Sequence, residues 1–245
     1  MSDAVAIRER PILFSGPMVR AILDGRKTQT RRVVQPQPWE DVGTLRVGVY
    51  HPEIVVRGEY EPGPEEFGAW SEDGEFAVRC RYGKPGDRLW VRESGWQPKE
   101  PNELELREGA DTWPKYVYDA DEPLRPAFAL AYYSEYGWKH KPSIHMPRWA
   151  SRLTLEITDV RVERVQDISR EDSVAEGARR FDDIPDPHPF GIGPRWSMET
   201  PTSTDQCLGN ARFAFANTWN SINAKRGYSW DTNPWVWCLT FKVVQ

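Results

Sequence analysis

Cysteine, histidine, long apolar runs and net positive charge are all scarce in this chain, and each scarcity excludes a class of protein. Three cysteines stand among 245 residues, Cys80, Cys207 and Cys238, an odd number without CxxC or CxxH spacing. That excludes a disulfide framework or a zinc finger. Of four histidines, His140 and His145 are five apart and off any one helical face, so neither a metal nor another cofactor is expected. No apolar run approaches the roughly 18 residues of a membrane-spanning helix. The opening MSDAVAIRERPILF has no basic region leading into an apolar stretch, so no secretory signal is expected and the cytoplasm is the default compartment. With 32 Lys+Arg against 37 Asp+Glu, the net charge is −5, which argues against indiscriminate coating of nucleic acid.

What the chain has in plenty is tryptophan, 12 of them, with 21 prolines and 18 glycines. This composition points to a turn-rich, aromatic-heavy fold. Pro17 suits a first helical turn, Met18, Ala21 and Ile22 follow at helical spacing, and Gly25 supplies a stop, predicting a helix over 17–24. An extended segment, 28–34, follows. Four short strands are predicted between 44 and 92, in LRVGVY, EIVVRGEY, GEFAVRCRY and DRLWVRES. Residues 97–127 are polar and proline-rich, an excursion from the core. A β-hairpin is predicted over 153–165 with its turn near Thr158-Asp159. Ser169 and Asp172 read as a capping box opening a short helix that stops at Gly177. Residues 181–206 hold five prolines and no periodicity, a long loop. Leu208, Ala211, Phe215, Trp219 and Ile222 lie on one face of a helix over 207–222, and a strand closes the chain over 235–244. A single domain over 1–245 is the economical reading, with insertions at about 35–80, 95–150 and 181–206. The alternative is two domains divided near 97–150.

The segment Ile22–Arg32 sets four basic side chains, Arg26, Lys27, Arg31 and Arg32, and two hydroxyls, Thr28 and Thr30, on a helix-to-strand turn. Read plainly, it is a solvated turn whose cations favour a helix C-terminus. Yet Gly25-x-Lys27-x-x-Thr30-x-Arg32 also resembles the signature of ASCH domains, small β-barrels similar to PUA domains. Lys84-x-Gly86-Asp87-x-Leu89-x-Val91 resembles that family's turn-and-strand element. Residues 153–168 with the following helix resemble its hairpin and helix, and Trp235–Lys242 its final strand. The resemblance covers about 100 residues in four ordered blocks. It implies an α+β, PUA-like (ASCH) mixed β-barrel with flanking short helices and large insertions. The chain's length is similar to that of larger ASCH-type proteins of phages and prophages.

Where many ASCH domains carry Glu, this chain has Thr30. In that respect it is similar to small bacterial N4-acetylcytidine amidohydrolases with a Gly-Arg-Lys-Thr-x-Thr-x-Arg run. The resemblance implies Lys27, Thr30 and Glu176 as catalytic residues acting on an N4-acylated cytidine or related modified nucleoside. Chemically, a hydroxyl nucleophile needs a base, and Lys27 suits that role only if burial or the cations of Arg26, Arg31 and Arg32 lower its pKa. Glu176 would shuttle a proton or orient the lysine; otherwise it is a solvent-facing residue near a helix end.

A second class of function is a non-catalytic module that binds RNA or a modified nucleobase. Arg88, Trp90 and Arg92 share one strand face, opposite Leu89, Val91 and Glu93, and an aromatic between arginines suits stacking on a base. Lys139–Arg152, which contains Arg148 and Trp149, is the densest basic strip and a candidate phosphate contact. The plainer alternatives are a core Trp90 and a solvated linker. Expected partners are a modified nucleoside or RNA, and no membrane. A ribonuclease is a third possibility by family analogy, but this chain has no histidine pair arranged for it. Cys80, between Arg79 and Arg81, reads as a buried strand cysteine.

Overall fold

A computed structural model describes residues 7–98, 115–121, 135, 137–182 and 193–244. Most of the proline-rich excursion over 97–127, much of the loop over 181–206 and the alternative domain division lie outside the described residues. Chain order runs β1 (Glu9–Leu13), α1 (Gly16–Leu23), β2 (Gln29–Val33), β3 (Leu45–Tyr50), β4 (Glu53–Val56), β5 (Glu59–Pro62), β6 (Glu66–Ser71), β7 (Ala77–Arg79), β8 (Arg88–Arg92), β9 (Gly95–Gln97), β10 (Val117–Tyr118), β11 (Lys139–Lys141), β12 (Thr154–Arg164), α2 (Arg170–Ala175), β13 (Arg179–Arg180), β14 (Trp196–Ser197), α3 (Ala211–Asn223) and β15 (Trp235–Val243). The architecture is mixed α+β, mostly sheet with few helices.

The main sheet has the order β1-β8-β12-β15-β2. Its edges, β1 and β2, do not pair with each other, so among the described residues the sheet is open. The closed barrel expected from the sequence is not formed. In β15, Val236, Trp237, Cys238 and Leu239 are all buried in succession. Alternate side chains of a strand leave by opposite faces, so this strand is covered on both. Trp237, Leu239 and Phe241 join Ile12, Phe14, Ile22, Leu89 and Leu155 in the larger core. Val236 joins Val165, Ile168, Phe215 and Trp219 in a second core under α3.

Several local expectations are corrected. The hairpin over 153–165 is a single eleven-residue strand, β12. Residues 154–156 pair with β8 and residues 155–164 with β15, and a register shift at Ile157/Asp159 marks Thr158 as a bulge rather than a turn. With neighbours on both sides, the straight strand satisfies its backbone better than a reversal lacking glycine. Conversely, EIVVRGEY is two strands, β4 and β5, reversing at Arg57 (φ 54°) and Gly58 (φ 91°), the paired positive φ of a tight hairpin turn. In α3 the inward residues are Ala211, Ala214, Phe215, Trp219 and Asn223, while Ile222 is exposed. Leu208 precedes the helix and pairs with Trp196. The segment 35–80, expected as an insertion, contributes Val42, Leu45, Ala69, Phe76 and Val78 to the larger core.

α2 matters most for the site. Ser169 caps it, Oγ accepting from the Asp172 amide at 2.9 Å, as the capping box requires. The Asp172 carboxylate does not answer; it is taken by Arg31 and Arg161. Replacing Ser169 by Ala should lower stability by about 1 kcal/mol in urea unfolding. An unchanged midpoint would show that the cap contributes nothing.

Candidate functional site

Gly25 (φ 71°) ends α1, and the amides of Arg26 and Lys27 both donate to Ala21 O at 2.9 Å. The Thr28 amide donates to Ala175 O at 2.8 Å, fastening the entry of β2 to the end of α2. This geometry turns the Lys27 side chain inward, where the residue is only 1% exposed. Nζ donates to Gln29 O at 2.7 Å, Glu176 O at 2.9 Å and Glu176 Oε2 at 2.6 Å. An ammonium has three protons, and each has an acceptor.

Glu176 is 3% exposed, not the solvent-facing residue of the plainer alternative. It sits at the C-cap of α2 and is followed by Gly177 with φ +112°; a Cβ there would lie 3.3 Å from Ala21 Cβ. Its other oxygen, Oε1, accepts from Arg31 Nη1 at 3.3 Å. Arg31 also donates to Gln29 Oε1 at 2.9 Å, Asp172 at 2.8 Å and Glu163 at 2.5 Å. Arg161 reaches Asp172 at 3.3 Å and Glu163 at 3.4 Å. Lys27, Arg31, Arg161, Glu163, Asp172 and Glu176 thus form one charge network. Burial pushes the Lys27 ammonium below its ordinary 10.5; Glu176 pulls it back up, while Arg32 and Arg31 push it further down. Burial alone would raise the Asp172 carboxyl, but Arg31 and Arg161 outweigh it and hold it below 3.8.

A cavity of about 440 Å³ opens beside this network, within the ordinary range of small-molecule sites. Its buried lining includes Thr30, Arg31 and Glu176, at 2%, 4% and 3% exposure. Met18, Met198, Phe215 and Trp219 supply apolar wall, and Arg10, Arg32, Arg81 and Arg226 also line it. Among the described residues, none hydrogen-bonds the Thr30 hydroxyl. The Phe14 ring lies beneath two cations, with Lys27 Nζ 5.7 Å and Arg32 Cζ 5.0 Å from its centroid. Burial lowers the Arg32 guanidinium, with Arg226 adding to the effect.

The remaining predicted residues lie elsewhere. Arg26 points away from the cavity, paired with Asp24 at 2.8 Å and donating to Gly177 O at 3.2 Å, so it does not press on Lys27. Trp90 and the guanidiniums of Arg92 and Arg148 meet at 5.4 and 5.6 Å, a patch whose residues do not line this cavity. Arg148 pairs with Glu9 at 3.0 Å and Arg92 donates to Ile144 O. Glu93 is buried on the pairing Arg152 at 2.9 Å. Trp149 is 57% exposed, edge-on to Tyr116. The flanking arginines do not activate Cys80; burial pushes its thiol up to about 11. His140 faces Asp119 at 2.8 Å, and among the described residues no His/Cys/Asp/Glu group has the makings of a metal site.

Sequence reasoning missed Glu163, Arg161, Phe14, Arg10, Arg81 and Arg226. Helical spacing places Phe215 and Trp219 on one face but does not show the cavity beside it. Arg161 and Glu163 alternate with apolar Val160 and Val162 in β12, and that alternation was the available signal.

Removing one partner of a buried ion pair strands the other. Glu176→Ala should therefore cost about 3–5 kcal/mol in urea unfolding, and adding Lys27→Met should recover part of it. Additive losses would mean the two are not coupled. The depressed Asp172 carboxyl contributes stability above its unfolded value of 3.8 that is lost as pH falls through its lower folded value. Asp172→Asn should flatten that acid limb; an unchanged limb would remove Asp172 from the network. No family model, curated protein or solved structure matches the chain.

Proposed function

We propose that the chain is an ASCH-type, PUA-like protein acting in the cytoplasm as an amidohydrolase on an N4-acylated cytidine or related modified nucleoside. The observation that carries this reading is the buried Lys27–Glu176 contact of 2.6 Å beside a cavity that Thr30 and Glu176 share. Thr30 is the nucleophile. Its hydroxyl has no hydrogen-bond partner among the described residues and is available to a substrate.

The chemistry begins with a proton. With three acceptors filled, Lys27 is an ammonium and no base. Passing one proton from Nζ to Glu176 Oε2 cancels both charges, which a dry surrounding favours, and leaves Nζ with a lone pair. Neutral Lys27 then takes the Thr30 proton, directly or through one water, as Oγ1 attacks the acyl carbonyl. In apo enzymes such contacts are often open and tighten with substrate bound. Collapse of the tetrahedral intermediate breaks the bond to the exocyclic N4, which receives the proton held by Glu176. Lys27 and Glu176 are then again ammonium and carboxylate, so Nζ passes a second proton to Glu176 Oε2. Neutral Lys27 takes a proton from water as its oxygen attacks the acyl-threonine, and the proton on Glu176 returns to Thr30 Oγ1 as the carboxylic acid leaves. Arg31 fixes the other oxygen of Glu176 throughout.

A second reading has its own observation. Full satisfaction of the Lys27 ammonium suits a structural ion pair, and with it a binding module for RNA or a modified nucleobase. Trp90 between Arg92 and Arg148 would then be the stacking surface.

Hydrolysis of N4-acetylcytidine, followed as acetate release, separates the two. Thr30→Val should abolish turnover, and Lys27→Ala should lower it by about 10²–10⁴-fold, with folding of each variant checked by circular dichroism. Because the reacting form of the Lys27–Glu176 pair holds the same protons as the resting pair, kcat/KM should stay level as pH rises and fall once Lys27 loses its proton, at a midpoint below the ordinary lysine value of 10.5. Turnover surviving both substitutions overturns the catalytic assignment. Absent turnover with binding weakened by Trp90→Ala favours the second reading.

A further inference from the structure

The charges around the cavity do not balance, and the imbalance has a location. Five arginines line it against one carboxylate, Glu176. Glu176 is already engaged by Lys27 and Arg31. Arg31 is matched by Glu163 and Asp172, and Arg10 by Asp87 at 2.9 Å. Arg32, Arg81 and Arg226 are left with no carboxylate within salt-bridge distance among the described residues. Arg81 has one long contact, 3.4 Å, to Gln35 Oε1. The Arg32 Nε is buried without a hydrogen-bond partner, its Nη2 reaching only Leu13 O. A buried guanidinium donor left unmade is costly.

Depth orders these groups. Thr30 and Glu176 are buried and form the floor; Arg81 and Arg226 are exposed and form the mouth; Arg32 is half-buried between them. The floor accommodates a neutral head and the mouth an anion. Apolar Phe215 and Trp219, also buried in the lining, suit a planar ring.

We propose that Arg32, Arg81 and Arg226 form a phosphate subsite, so that the molecule taken is a phosphorylated nucleoside rather than a bare one. Guanidinium forks match phosphate oxygens bidentately, and a phosphate ester there supplies the acceptors these three lack. This rests on the nucleoside reading of the floor and specifies the form of its substrate. The phosphate could belong to a free nucleotide or to a strand, and the two differ in the number of bridging esters.

Binding, not turnover, tests it, so failure of the amidohydrolase assignment leaves the outcome intact. Isothermal titration at low salt compares cytidine, cytidine 5′-monophosphate, inorganic phosphate and the trinucleotide CpCpC. The monophosphate or the trinucleotide should bind at least about tenfold tighter than cytidine, the gain from one or two charged hydrogen bonds. The gain should shrink with added salt. Arg81→Gln and Arg226→Gln, both at exposed positions, should bring binding of the phosphorylated ligand back towards that of cytidine. A stronger gain for the monophosphate assigns a free nucleotide, and a stronger gain for CpCpC assigns a strand. Equal affinity for cytidine and both phosphorylated ligands overturns the subsite, as does a gain that survives both arginine substitutions.

Discussion

A lysine ammonium with almost no exposed surface is the constraint on which the site depends. Removing such a charge from water costs several kcal/mol, and only close, complete pairing returns it. Lys27 has that pairing because three pieces of chain meet around it: the turn after α1, the first residues of β2 and the C-terminal end of α2. Arg31 repeats the arrangement one step outward, and with Lys27 and Arg161 it spreads the anionic charge of Glu163, Asp172 and Glu176 over three cations. An apolar cluster of the same volume would serve stability at least as well. The network therefore holds Glu176 in one orientation, which packing alone would not specify.

The turn itself was legible in the sequence. Gly25 as a stop, Ser169 as a cap and Gly177 as a second stop each express a local rule that neighbouring residues enforce, and each appears in the structure. What local rules do not carry is the identity of partners far along the chain. Asp172 sits where a capping carboxylate belongs, yet Arg31, 141 residues away, takes it. β12 reads as a hairpin because its two neighbouring strands, invisible locally, are what keep it straight. β15 defeats alternation because cores lie on both of its faces. Arg26 and Arg31 look equivalent in the motif, but one is turned to Asp24 and the other is buried among carboxylates.

The acidic total and the aromatic wealth also take on positions. Trp237 and Trp219 fill separate cores on the two sides of β15, whereas Trp90 lies at the surface among arginines. The carboxylates that give the chain its negative balance are not spread evenly: Asp87, Glu163 and Asp172 each neutralise an arginine beside the cavity, and none lines the mouth. Net charge describes the whole surface, while a ligand meets only the local field.

Among the described residues β2, the strand that carries Thr30, bonds to a single neighbour in the main sheet, β15, which lies about 200 residues further along the chain. Thr30 stands opposite Leu239 in that register. During synthesis the Lys27–Thr30 segment therefore waits unpaired while all the strands between are made, and the loop its closure must span is among the longest in the molecule. Closing such a loop carries a large entropic cost and slows folding. The two halves of the site come together only when β2 and β15 pair, so a partly folded chain has no Thr30 strand docked in register and no completed cavity.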